Sequence, residues 1–151
     1  MNHYFKFGLM ILTSTIIMFG LMYLNTYELD HIFFSETRGY MAILMGATMA
    51  LIMLTFMPKM YSNKALNRLI YLCSVIVFGM SLWLVRSQTT IEDISWMKAM
   101  IPHHSIAILT SERANITDPR VRKLADGIVE AQKKEISEMK VLIKDLEKSS
   151  E

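Results

Sequence analysis

Apolar positions form three long uncharged runs, followed by a stretch in which they recur every three or four residues. The runs cover about 7–24, 39–57 and 69–85. At 1.5 Å of rise per residue, each comes near the length needed to cross a hydrocarbon core of about 30 Å. Only Thr13, Ser14 and Thr15 are clearly polar in the first run, and no small-x-small cleavage site follows it. It is therefore expected to act as an uncleaved anchor rather than a signal peptide.

Beyond residue 85 the period changes to that of amphipathic helices. Thr89 with Glu92 three positions later fits a capping box, which starts a helix running toward Asn115. Ile116, Thr117, Asp118 and Pro119 then make a turn, with Asp118 as N-cap and Pro119 at the first helical position. A second helix continues to about Glu147. The expected fold is all-α: three transmembrane helices (1–85), then an antiparallel helical hairpin (86–151). Alone, such a hairpin buries little surface, so it should dock on the bilayer or pair with a second copy into a four-helix bundle.

Charge sharpens this division. Residues 1–85 carry 8 charged side chains and 86–151 carry 22. The loop 25–38 holds Glu28, Asp30 and Glu36 against Arg38, whereas the loop 58–68 holds Lys59, Lys64 and Arg68 and no acid. The positive-inside bias places 58–68 and the N-terminus in the cytoplasm and 86–151 outside, the periplasmic side if the cell is bacterial. Arg86, at the outer end of the third run, opposes this weakly. A net charge of +2 does not make a nucleic-acid surface, and one cysteine, Cys73, supports neither an internal disulfide nor a cysteine zinc site. High apolar content excludes disorder.

Of 14 methionines, Met41, Met45, Met49, Met53 and Met57 form a row in the second run. A thioether ladder passing a soft metal is one reading. Steps of four drift about 40° each around a helix, however, so the row fits packing better. Ala42, Gly46 and Ala50 beside it form a small-xxx-small row suited to close helix approach. His31, near Glu28 and Asp30, is a weak metal candidate and is expected to be a solvated loop residue.

In the second hairpin helix, Val121, Leu124, Ala125, Ile128, Leu142, Ile143 and Leu146 fall on one face, together with Gln132, Glu135 and Met139. An acid and an amide within an apolar face need partners, because burying them unpaired costs several kcal/mol. In the first hairpin helix, Met97, Met100 and His104 share a face with Asp93, Ile101 and Ile108, while His103 lies to one side with Trp96 and Ala107. Pro102 lacks an N–H and crowds the preceding turn, so a kink or local break is expected there.

The segment from Asp93 to His104, reading DISWMKAMIPHH, resembles the signature of domain-of-unknown-function family 305. Asp118, Pro119, Val121, Leu124 and Ala125, then Ala131, Gln132, Glu135, Ile136 and Met139, match its second half, so the likeness covers roughly 91–146. Trp96 replaces a usual Phe, and Leu142 and Ile143 a usual Trp-Leu pair. The resemblance implies a ferritin-like helical architecture, here half a bundle, and copper binding in some periplasmic members.

Thioethers of Met97, Met100 and Met139 with imidazole from His103 or His104 are soft, neutral donors suited to Cu(I) or Ag(I), with Cu(II) also accepted by imidazole. Asp93, Gln132 and Glu135 are expected to orient the ligands from a second layer. Zinc through His103, His104 and Glu135 fits less well. A ferritin di-iron site would want several Glu and Glu-x-x-His repeats on the bundle helices, and the hairpin has none of these repeats. The expected function is membrane-anchored, extracytoplasmic copper sequestration or handover, to a copper-handling partner protein in the latter case. The alternative is a membrane-tethered interaction module whose His/Glu/Met cluster is a buried structural network. No nucleophile or oxyanion-hole motif supports an enzyme.

Overall fold

A computed structural model describes residues 2–149, which form five α-helices and no strand: α1 (His3–Leu21), α2 (Glu36–Phe56), α3 (Lys64–Ser87), α4 (Asp93–Arg113) and α5 (Pro119–Ser149). The chain divides into two compact units. One holds the first 22 residues with Thr37–Thr90, and the other holds Tyr23–Glu36 with the residues from Ile91 onward.

In the first unit, α1, α2 and α3 are long and apolar enough to cross a membrane. Helices α1 and α2 are shifted from their uncharged runs, and α3 outruns its run at both ends, so that each takes in charged or polar residues that can end a span in the headgroup region. Helix α1 stops at Leu21, α2 begins at Glu36 and takes in Arg38, and α3 begins at Lys64 under an Asn63 cap. Their outward faces carry Phe5, Leu12, Ile16, Ile52, Leu72 and Val75, all more than half exposed. Hydrocarbon satisfies such a surface, whereas water does not.

On α2 the buried residues are Ala42, Gly46, Ala47, Ala50 and Leu54, so the small-residue row is the packed one. Met41 and Met57, at the ends of the methionine row, are exposed. A Cβ placed on Gly46 would meet the Thr15 side chain, whose hydroxyl donates to the Ile11 carbonyl at 2.8 Å. Glycine is required there for the two helices to approach. Tyr61 in the following loop packs against Phe7, Ala50 and Leu54.

The second unit is an antiparallel hairpin of α4 and α5. Two ion pairs fix its register: Lys98–Glu147 at 2.7 Å and Lys133–Glu112 at 2.8 Å. Their members stand about four helical turns apart on each helix, so the helices run past one another without slipping. The core is Met97, Ile101 and Ile108 against Ile136, Met139 and Ile143.

Three expectations change here. The capping box is absent: Thr89 and Thr90 lie in a turn after Gln88, whose φ of 53° closes α3, and Glu92 is itself the N-cap of α4 without a side-chain bond. Of the kink or local break expected at Pro102, the break is absent, since α4 is continuous through this fully buried residue. Finally, the inner face of α5 is turned. Ala125, Ile136, Met139 and Ile143 are buried, whereas Val121, Leu124, Ile128, Leu142 and Leu146 are exposed. Helix α5 therefore has two adjacent apolar rows, and α4 covers only one. The expected cap is present at the start of α5, where Asp118 accepts from Arg120 N–H at 2.8 Å.

Candidate metal centre

The buried face of α4 carries Met97, Ile101, His104, Ser105 and Ile108, and that of α5 carries Met139. Met97 and Met139 belong to one apolar cluster, and Met100 packs against it half-buried. All three hairpin thioethers therefore line the same core.

His104 joins this face with both ring nitrogens engaged. Its Nδ1 lies 2.9 Å from the Met100 carbonyl oxygen, and its Nε2 lies 2.7 Å from Glu135 Oε2. A carbonyl only accepts, so the hydrogen on Nδ1 is fixed. Nε2 and Glu135 Oε2 are then 2.7 Å apart, a hydrogen-bond distance that leaves room only for a proton between them. Gln132 is half-buried and its amide approaches the same Oε2 at 3.5 Å. The Glu135 side chain remains half exposed, so this end of the pair is open to solvent.

The other proposed residues stand apart. His103 is exposed, its ring centroid 6.1 Å from that of His104. Among the described residues, His103, His104 and Glu135 do not converge as a three-ligand group. Asp93 is exposed in the first turn of α4. Eleven residues of helix, about 16 Å, separate it from His104, too far to orient that ring.

The expectation that His31 is a solvated loop residue is overturned: it is 6% exposed. A short 3₁₀ turn, Leu29–His31, lays it against α4, where its Nδ1 meets Ser105 Oγ at 3.0 Å. Ser105, wholly buried, also accepts the Tyr27 N–H at 2.7 Å. From α5, Lys140 binds Asp30 at 2.6 Å. Burial is the main influence pushing His31 below its ordinary range, Lys140 adds to this, and Asp30 and Glu28 oppose it. The Lys140 hydrogen bond holds the Asp30 carboxyl low. Neither Ser105 nor Lys140 belongs to any motif in the sequence. The one hint is a serine next to His104 on a face otherwise made of Ile, Met and Pro.

A model of the domain of unknown function (DUF305) matches residues 46–143. The match begins inside α2, well before the stretch that carries the sequence resemblance. An "Uncharacterized protein L153" of Acanthamoeba polyphaga mimivirus is 33% identical over 141 residues, covering 89% of this chain and 91% of that one. No solved structure matches the chain. The chain thus belongs to the DUF305 family, and its likeness to the viral protein extends across most of the three long apolar helices as well as the hairpin.

Proposed function

We propose that this chain is a membrane-anchored protein whose extracytoplasmic hairpin binds copper, as Cu(I) first, for sequestration or handover to a copper-handling partner. The supporting observation is the fixed hydrogen on His104 Nδ1. It turns Nε2 toward α5, on the buried face that also carries Met97, Met100 and Met139. A ligating imidazole is commonly oriented through its other nitrogen in this way. Neutral sulfur and nitrogen donors suit Cu(I) or Ag(I) and exclude hard cations, which would want several oxygens. His104 Nε2, Met97, Met100 and Met139 would hold the copper, with Glu135 released from the ring to a second layer, and exposed His103 would receive the ion from solvent or a partner.

The topology rests on the loop charges, with the N-terminus inside and the hairpin outside. It gains support from Tyr23–Glu36 lying in one compact unit with the hairpin, since both must then share a side of the membrane. The uncovered row of Leu124, Ile128, Leu142 and Leu146 supports pairing of hairpins into a four-helix bundle.

A second reading follows from the same 2.7 Å contact: His104 and Glu135 are a structural pair that fixes how α4 meets α5. One experiment separates the two. Full-length protein in detergent is titrated with Cu(I) against a competing chelator, alongside Met97→Leu, Met100→Leu, Met139→Leu and His104→Gln. Copper binding predicts at least tenfold weaker affinity in each variant while helicity is retained. Equal affinity throughout, with a lower melting temperature for His104→Gln alone, selects the structural pair.

A further inference from the structure

The 3₁₀ turn outside the family match gathers a second set of donors. We propose that Glu28, Asp30 and His31 form a site for a divalent transition-metal ion of the Zn(II) class, separate from the thioether face of the hairpin.

The three ligand atoms lie within 4.8 Å of one another. His31 Nε2 is 3.6 Å from Glu28 Oε2 and 3.7 Å from Asp30 Oδ1. Those separations are too long for hydrogen bonds. They are close to the distance between neighbouring ligands around a tetrahedral ion, about 3.4 Å when each bond is about 2.1 Å.

The histidine is the independent observation that makes this more than an acidic cluster. It is more than nine-tenths buried, and its ring is pinned at Nδ1 by Ser105, a fully buried residue of another helix. Its remaining nitrogen is aimed between the two carboxylates. Asp30 divides its oxygens in a compatible way: Oδ2 is held by Lys140 and Oδ1 faces the histidine. A cavity of about 240 Å³ borders two of the three ligands, Glu28 and His31.

One imidazole with two carboxylates is a borderline-to-hard set. It suits Zn(II), Co(II) or Cu(II) rather than Cu(I), and has too few oxygens for Ca²⁺. Two carboxylates against one ammonium leave the site net negative when His31 is neutral. Removing Lys140 should therefore strengthen cation binding.

The test uses the full-length protein in detergent, titrated with Co(II) and then with Zn(II). Co(II) should give the intense visible bands of a tetrahedral site, and Zn(II) should displace them. Glu28→Gln, at a half-exposed position, and Asp30→Asn should weaken Zn(II) binding by at least about tenfold, the lower end of what losing even a supporting partner costs at metal sites. Lys140→Gln should tighten it, and Met97→Leu with Met100→Leu should leave it unchanged. Zn(II) affinity that is the same in wild type and Glu28→Gln would overturn the site. So would Zn(II) binding that disappears with His104→Gln but survives Glu28→Gln.

Discussion

Replacing Ser105 with alanine probes how the loop before α2 is held to the hairpin. The hydroxyl is completely buried and serves two groups, the Tyr27 N–H at 2.7 Å and His31 Nδ1 at 3.0 Å. Alanine removes one oxygen and leaves both without that partner. A buried polar group left unsatisfied costs about 1–3 kcal/mol. Tyr27 is only partly buried and can recover some hydration, so its share is at the low end, and the sum is about 2–3 kcal/mol. The cost falls on docking of Tyr23–Glu36 rather than on the α4–α5 core, whose apolar contacts are untouched. At about 1.4 kcal/mol per factor of ten, the loop should open about 30- to 150-fold more often. Hydrogen exchange of peptides covering 23–36, read against peptides from α5, measures this directly. Unchanged protection of the Tyr27 amide would refute the reasoning. Equal loss across α5 would show that Ser105 supports the whole hairpin instead.

Three further outcomes follow. Because burial holds the folded His31 below its ordinary pKa of about 6.5, the unfolded state binds the extra proton first. Stability of the second unit should therefore fall as pH drops below about 6.5, and a thermal melt of His31→Gln should lack that dependence. Asp118→Ala should cost about 1 kcal/mol by removing the α5 cap, whereas Thr89→Ala should be nearly neutral in the same denaturation assay. Gly46→Leu should drive α1 and α2 apart where Thr15 blocks the new side chain, lowering the melting temperature in detergent, while Gly8→Leu, with open space beside it, should not.

The period of the sequence carried most of the fold. Uncharged length revealed the three long apolar helices, and the Asp118-Pro119 pair located the start of α5. The misread cap shows what local chemistry leaves out. Thr89 and Glu92 have the right spacing, but Gln88 closes α3 in the left-handed region, and the turn continues past both threonines.

Helix α5 was ambiguous for a different reason. It has two neighbouring apolar rows, and a helical wheel averages them into one face centred on Val121 and Met139. Only the partner helix decides which row is covered. Likewise, the wheel separated His104 from His103, and the structure buries one and exposes the other. That Glu135 needs a partner follows from its place on an apolar face, and the structure supplies His104 at 2.7 Å. His31 was not legible, because its burial depends on Ser105, 74 residues away. A three-residue 3₁₀ turn leaves no periodicity to read.

The copper proposal turns on which atoms contact the ion. X-ray absorption at the copper edge, on full-length protein loaded with one equivalent of Cu(I), identifies them. Thioether ligation by Met97, Met100 and Met139 with His104 predicts mainly sulfur scatterers with one nitrogen, and a loss of sulfur in each methionine-to-leucine variant. A shell of nitrogen and oxygen alone, unchanged in those variants, would contradict it.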